Sequence, residues 1–447
     1  MGVGASADGS SADQAIPQVG AIAIGYNAKI VNANGGIAIG NLAQITNQYK
    51  LYGLALGYQA NSNEHYAVAV GGNSNAMEVS SLALGYNSKS TNKSAVAVGA
   101  NTTASGAQAI SIGESSIASG VNSVAVGNKA TANNTDALAF GNGSVASAAQ
   151  AIAIGKSSTA SGAQAIALGF SSSASQNNSY AFGTLAKSTG ANSYAMGTSS
   201  QALSTQAIAI GNGAVADSNN GSNNTGQAIA IGANAYAHSQ DSSATGGNTA
   251  IAIGRNSYAE LSGVAIGYGT QASQAGAVAI GYAANAKDSA SGVAIGDWAN
   301  ATGNNAIAIG GNSGSTATQA YGDGAMAIGS GSKANGTGAV ALGGLGGTAG
   351  GSAAAKDFAV AIGAAAYATE TGAVAIGGNS TNVSKAAGKN SAAIGSNAQA
   401  LAENTLAFGT GSVAGQANSI AIGVKANAWG ENTISIGNGN KVTGRNS

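Results

Sequence analysis

Along most of the chain, apolar and small positions alternate in a four-residue phrase: apolar, Ala, apolar, Gly. Ile22-Ala23-Ile24-Gly25, Val68-Ala69-Val70-Gly71, Leu138-Ala139-Phe140-Gly141, Val278-Ala279-Ile280-Gly281 and Ile420-Ala421-Ile422-Gly423 are examples, and 28 copies end at glycines running from Gly25 to Gly437. Alternation over two-residue steps is a strand pattern, and the flanking residues are mostly Ile and Val, which suit strands. A helical reading fails, because no i, i+3, i+4, i+7 stripe persists and glycines interrupt every candidate.

The spacing of the phrase predicts how the strands are organised. Gly57, Gly71, Gly85, Gly99, Gly113, Gly127, Gly141, Gly155, Gly169, Gly183, Gly197 and Gly211 recur every 14 residues, as do Gly395, Gly409, Gly423 and Gly437. A fixed short period marks a solenoid rather than a set of independent domains. Fourteen residues are too few for a helix-turn-helix repeat but suffice for two short strands and two turns. The second half-repeat alternates more weakly, as in Lys156-Ser157-Ser158-Thr159-Ala160-Ser161-Gly162. The phrase glycine permits a positive φ, and pairs such as Asn142-Gly143 and Asn212-Gly213 favour tight turns. Each coil should stack on the previous one as parallel strands about 4.8 Å apart.

The middle residue of the phrase is Ala in 26 copies and Ser in two, Ser111 and Ser435. A solvent-facing position would vary far more, so this one is expected to pack where only a methyl group fits. Its neighbours are large and apolar, so both faces of the strand should be buried. A two-sheet roll turns only one strand face inward, so the outward face is expected to meet another chain in an obligate homo-oligomer. The pattern leaves open whether Ala or Ile/Val fills the roll.

Composition narrows the function. Charged residues make up 7% of 447, the formal net charge is zero, and there are 71 Gly, no Cys and two His. Catalytic side chains are scarce, and no basic field exists for a phosphate backbone, so nucleic acid is not an expected partner. Absence of Cys excludes disulfide frameworks and thiolate metal sites and is neutral about compartment. Disorder is disfavoured, because 44% of the residues are hydrophobic.

With its preceding Asn and Ser, as in Asn122-Ser123-Val124-Ala125-Val126-Gly127 and Asn418-Ser419-Ile420-Ala421-Ile422-Gly423, the phrase resembles the head repeat of YadA-like trimeric autotransporter adhesins, over residues 21–437. The resemblance implies an all-β, left-handed parallel β-roll of about 28 coils and a homotrimer. It further implies display on the outer surface of a Gram-negative bacterium and non-catalytic attachment to host extracellular matrix, cells or surfaces, with self-association between fibres. Residues 1–20 read as a lead-in or cap. Residues 21–437 read as one continuous head, regular over 21–211, carrying insertions over 212–394 and regular again over 395–437; 438–447 read as a tail leading toward a neck or stalk. Such adhesins also carry a signal peptide, neck, coiled-coil stalk and membrane anchor. The start, Met1-Gly2-Val3-Gly4-Ala5, has neither a basic nor an apolar segment, and the end shows no heptads. No span of 18 apolar residues occurs. The chain is therefore expected to be a head fragment with an added initiating Met and no membrane insertion of its own.

Ligand contact is expected where the period breaks. The intervals Gly211–Gly232 and Gly232–Gly254 are long, and their extra residues hold Asn219, Asn220, Asn223 and Asn224 in one and Gln240 and Asp241 in the other. Both should leave the roll at the same corner. The intervals beginning at Gly310, Gly343 and Gly377 are also long, and supply Tyr321, Asp323, Lys356, Asp357, Lys385 and Lys389 as further candidate ligand-binding residues. Solenoid insertions often map to a binding face; the competing reading is that corner loops are tolerated because they cost little closure entropy. Tyr26, Tyr58, Tyr86, Tyr268, Tyr282 and Phe170 follow phrase glycines and read either as turn cover or as a ligand-contacting ridge. Trp298 and Trp429 are weighed the same way.

No catalytic, metal or cofactor site is expected. His65 and His238 are far apart in coil order and show no Cys or carboxylate partner at ligand spacing. Gly155-Lys156-Ser157 echoes a phosphate-binding loop, but Gln150 stands where its first Gly belongs. Gly343-Gly344-Leu345-Gly346-Gly347 echoes a calcium-binding nonapeptide, but Thr348 replaces its Asp; nothing in the spacing of Asp217, Asp241 and Asp288 demands calcium. Two other classes remain. A left-handed β-helix acyltransferase repeats every six residues and usually needs a catalytic His. A purely structural or ice-binding solenoid needs, for ice, a persistent Thr column, and none recurs here.

Overall fold

The computed structural model describes residues 2–7, 20–46, 50–218, 227–239, 249–311, 317–344 and 351–447. The chain divides into two compact units, Met1–Gly213 and Ala214–Ser447. Both are parallel β-solenoids, with no helix among the described residues. Each contains fourteen phrase strands, from Ile22–Ile24 to Ile208–Ile210 in the first unit and from Ala228–Ile231 to Ile434–Ile436 in the second.

One coil of the first unit shows the construction. The phrase strand Val68–Val70 pairs in parallel with the next phrase strand, with Val68 opposite Leu82, Ala69 opposite Ala83 and Val70 opposite Leu84. A first corner follows, closed by the Ser74 N–H donating to Gly71 O at 3.3 Å. The short strand Asn75–Ala76 then pairs with Lys89–Ser90. A second corner, closed by the Ser81 N–H on Glu78 O at 3.1 Å, returns the chain to the next phrase. Both corners place one residue in the left-handed region, Asn73 in the first and Ser80 in the second. Asn, Ser and Gly dominate these positions because they tolerate that conformation best.

The phrase glycine is fixed for two reasons. From Gly57 to Gly211 every one has a φ between 127° and 140°, where other residues are strained. In addition, a Cβ on Gly71 would lie 2.4 Å from the carbonyl oxygen of Gly85, so the coils could not stack at this distance.

The interior answers the question that the alternation leaves open. Phrase alanines such as Ala69, Ala97 and Ala139, and short-strand residues such as Ala76, Ala104 and Ala146, are fully shielded. The Ile, Val and Leu residues beside them point outward. Two short strands joined by tight turns lie too close for larger side chains, so methyl groups fill the core. Serine is the other filler, and among the described buried serines every hydroxyl but that of Ser204 finds a partner: Ser74 Oγ donates to Gly71 O at 2.8 Å and Ser123 Oγ to Gly120 O at 2.7 Å. The phrase serine Ser111 lies 2.8 Å from Ser116 Oγ, and Ser435 Oγ donates to Asn440 O at 3.1 Å. Ile30 and Ile45 are the largest buried side chains. They occur where the coils are longer, and room for Ile45 is left by Gly36 and Gly53, whose Cβ atoms would approach its Cδ1 to 3.1 and 3.4 Å.

The stacking extends past the phrase repeats. Ser6–Ala7 pairs with Lys29–Ile30, and Lys441–Val442 pairs with Asn427–Ala428. The Ile434 N–H donates to Ser447 O at 2.9 Å, so residues 438–447 complete another turn of the stack.

Candidate interaction surfaces

The outward side of the phrase strands is apolar. In the first unit Ile22, Ile24, Leu56, Leu84, Phe140, Tyr194 and Met196 are each more than a third exposed, and in the second Ile362, Phe408, Ile434 and Ile436. Strand stacking aligns them in two columns per unit, because equivalent phrase residues of successive coils lie opposite one another. Tyr180 stacks on Tyr194 at 4.8 Å within this face. Fourteen strands at about 4.8 Å, each three residues wide, make a strip of roughly 600 Å² per unit. That matches the largest apolar patches of soluble monomers and marks an interaction surface.

The outward side of the short strands is polar, and the corners flank it. The five long insertions use both corners. Val215 and Tyr236 lie four residues after Gly211 and Gly232, the regular offset, so the extra residues of these coils follow the short strand at the second corner. Asn219, Asn220, Asn223, Asn224, Gln240 and Asp241 lie outside the described residues. In the other three coils the short strand is delayed instead: Gln319 comes nine residues after Gly310, Ala353 ten after Gly343 and Lys385 eight after Gly377. Their extra residues sit at the first corner.

The remaining candidates therefore stand on ordinary turns and strands rather than in the insertions. Tyr321 is exposed just after the short strand Gln319–Ala320. Asp323 Oδ1 accepts the Asn304 N–H at 2.8 Å, and Asp357 Oδ1 accepts the Thr337 N–H at 2.9 Å. Each of these carboxylates stitches its turn to the coil before it. Lys356 and Lys389 are exposed in second-corner turns, and Lys385 is exposed on the short strand Ser384–Ala386. The six lie on three coils separated by regular ones and form no single cluster.

One group of ionisable residues was missed by the sequence reading. Asp217, His238 and Glu260 occupy the same register position on three adjacent short strands. His238 does have carboxylate neighbours, contrary to the expectation. Its Nδ1 lies 3.7 Å from Asp217 Oδ2, beyond hydrogen-bond reach, and is buried without a hydrogen-bond partner. Tyr236 stacks on Tyr258 at 5.1 Å and on His238 at 5.9 Å. The Tyr258 hydroxyl donates to Glu260 Oε1. Burial raises the Tyr236 phenol above its ordinary value, with the charges of Glu260 and Asp217 adding to it. Burial raises Tyr258 further, helped by its bond to Glu260 and that residue's charge. The signal was present in the sequence: all three ionisable residues lie six positions after a phrase glycine, and the long intervals hid the match. Among the described residues no group of three or more His, Asp or Glu is placed to hold a metal ion.

Aromatic residues crown the first corner. Tyr26, Tyr58, Tyr86, Tyr268, Tyr282 and Phe170 are all exposed. Tyr268 and Tyr282 stack at 5.1 Å, Trp298 continues the row at 6.0 Å from Tyr282, and the Arg255 guanidinium lies 5.8 Å from the Tyr268 ring. Lys156 lies 5.9 Å from the Phe170 ring. Trp429 instead lies over Gly415.

Twelve segments match the family model of the YadA head domain repeat: 51–74, 79–102, 104–130, 132–158, 160–186, 188–214, 261–284, 290–313, 320–345, 354–380, 386–412 and 414–440. Together they cover well over half of the chain. Among solved structures, the collagen-binding domain of the Yersinia adhesin YadA is similar at 26% identity, over 37% of this chain and 69% of that one, with a TM-score of 0.21. No curated protein matches the chain.

Proposed function

The chain belongs to the YadA head family, and from that premise we propose that it is the head of a trimeric adhesin, displayed on the outer surface of a Gram-negative bacterium. The observation that carries this reading is the exposed apolar strip of the phrase strands. The roll is already filled by alanine, so the strip has no partner within its own chain. Three copies packing these strips around one axis would bury them and leave the short strands and corners outward. Residues 21–437 form the head in this reading, with 1–20 and 438–447 flanking it.

The outward surface is then a long, nearly uncharged array of repeated positions. Binding on it is non-catalytic and multivalent, since three copies per fibre and many fibres per cell multiply weak contacts. Extracellular matrix proteins, cells and plain surfaces are the candidate targets, together with other fibres of the same kind. Low charge argues against an electrostatically steered ligand.

Sedimentation equilibrium tests the assembly: a trimer is expected at micromolar concentration, and a monomer would sink the reading. An adhesion panel of matrix proteins, cells and plain surfaces tests the rest. Comparing the native chain with one whose five insertions are trimmed to 14-residue coils separates loop binding from binding along the regular coils.

A further inference from the structure

Within the second unit, a groove of about 320 Å³ runs between the first-corner turns and the short strands. Its wall on one side is the carboxamide row Gln271, Asn285, Asn300 and Gln319, held in register by successive parallel pairings. Its floor is kept open by Gly269 and Ala283, and Trp298 stands beside them one coil further on. We infer that this groove is a binding site for a neutral oligosaccharide, with Trp298 as the stacking platform and the carboxamide row as the hydrogen-bonding edge.

Three independent features point to a ligand of that chemistry. The first is the state of the carboxamides. Elsewhere in the molecule such rows bond to themselves: Asn404 to Asn418 at 3.2 Å, Asn418 to Asn432 at 3.0 Å and Asn432 to Asn446 at 3.1 Å. Among the described residues no such bond joins Gln271, Asn285, Asn300 and Gln319. Asn285 Oδ1 accepts only the Lys287 N–H, at 3.0 Å, and the Oδ1 of Asn300 is buried without any partner. A buried acceptor left open is costly unless something else satisfies it, and hydroxyl groups both donate and accept.

The second feature is the placement of Trp298. It occupies a left-handed turn position, φ 56°, where the other coils carry mostly Asn, Gly or Ser and no other aromatic residue. That backbone disfavours a bulky side chain. The indole is nonetheless 44% exposed, so burial does not account for it. Tyr268 and Tyr282 stack on each other behind it, and the indole sits tilted by 50° against Tyr282. The third feature is charge: none of the side chains lining the groove is ionisable, which disfavours phosphates, nucleic acids and acidic or basic peptides. An aromatic face beside a few neutral polar groups suits a sugar ring, with its apolar face and its rim of hydroxyls. The corresponding groove of the first unit is a built-in comparison. Its row includes Gln44, Asn61 and Asn75; there too an acceptor, Asn61 Oδ1, is buried without a partner, but Asn61 donates to Asn75 at 3.3 Å and no aromatic residue lines the groove, so the aromatic platform is what sets the second-unit groove apart.

The inference rests on the adhesive reading in one respect: the short-strand face must stay outward in the assembly. The test uses the purified chain carrying Trp429→Phe, which leaves Trp298 as the sole tryptophan. Its fluorescence is titrated with soluble hexamers of β1,4-linked glucose, of β1,4-linked N-acetylglucosamine and of N-acetyllactosamine units. At least one should give a saturable change. On the native background, followed by saturation-transfer NMR, Trp298→Asn should weaken binding at least about tenfold, and the pair Asn300→Ala with Gln319→Ala by a similar factor. Asn is common at this turn position, so Trp298→Asn should fold, and circular dichroism checks that it has. Absence of a saturable response to all three saccharides overturns the inference, as does a response that Trp298→Asn leaves unchanged. Binding of an uncharged proline-rich peptide in place of the saccharides overturns it too. Surface attachment that survives in a protein with no saccharide response removes this inference and leaves the adhesive reading intact. A monomer that still binds the saccharide does the reverse.

Discussion

Replacing Gly127 by Ala tests the coil-stacking argument most directly, with Gly143→Ala as its partner. Both glycines have positive φ, +135° for Gly127 and +63° for Gly143. They differ in what a methyl group would meet. At Gly127 it would lie 2.5 Å from the Gly141 oxygen and 2.7 Å from the Gly141 carbonyl carbon; at Gly143 the nearest atom is Ser157 Oγ at 3.9 Å. Restoring an ordinary C···O contact requires the two coils to part by roughly 1 Å. That would stretch the inter-coil bonds Gly141 N–H to Val126 O and Gly143 N–H to Asn128 O, now 2.8 and 2.9 Å, beyond useful length. Two lost bonds at about 1 kcal/mol each, plus about 1–3 kcal/mol for a non-Gly residue in this backbone region, give about 3–5 kcal/mol. Gly143→Ala carries only the left-handed penalty, about 1–2 kcal/mol. Because a solenoid loses stability locally, the readout is amide hydrogen exchange on Val124–Val126 and Leu138–Phe140. Gly127→Ala should exchange roughly a hundredfold to a few thousandfold faster there than native, and Gly143→Ala roughly tenfold. Equal protection in the two variants would refute the claim that close coil approach, rather than turn conformation alone, fixes the phrase glycine.

Three further outcomes follow from the same structure. Ala139→Leu places three extra carbon atoms in a core lined by Ala125, Ala146 and Ala153 and should destabilise its coils by about 1–3 kcal/mol or more, seen as a lower denaturant midpoint. Phe140→Lys with Met196→Lys changes two exposed side chains of the apolar strip; the chain should fold normally, while sedimentation shows association weakened at least about tenfold per side chain. Tyr258 has a folded-state pKa raised above its ordinary 10.0, so its contribution is fully present below pH 10 and is lost as pH rises above that toward the folded value. Tyr258→Phe should flatten the alkaline loss of protection in the coils from Tyr236 to Ala272, and an unchanged alkaline profile would contradict the assignment.

Much of the architecture is legible without coordinates because the period is short and runs unbroken from Gly57 to Gly211. Fourteen residues between phrase glycines set the register, and every pairing from Leu54–Leu56 to Ile208–Ile210 keeps it. The glycine and alanine columns were likewise readable, since a position that holds only Gly, or only Ala and Ser, over so many coils must be sterically confined. The candidate sites were less legible. Tyr321, Asp323, Lys356 and Asp357 were assigned to insertions, yet those insertions open at the other corner, because interval length alone does not say which turn has grown. His238 was read as isolated because the intervals around it are irregular, although counting from the phrase glycine aligns it with Asp217 and Glu260. The groove beside Trp298 needed three columns to be seen at once.

The sequence by itself therefore determined the repeat, the parallel register and the residues that cannot change. Only the tertiary structure decided which face of the phrase strand is inside. Alternation gives a strand two faces but assigns neither to the core when both are apolar. The assignment came from the width of the roll: two tight corners per coil bring the sheets so close that Ala and Ser fit between them, and the Ile, Val and Leu columns are left outside for a partner.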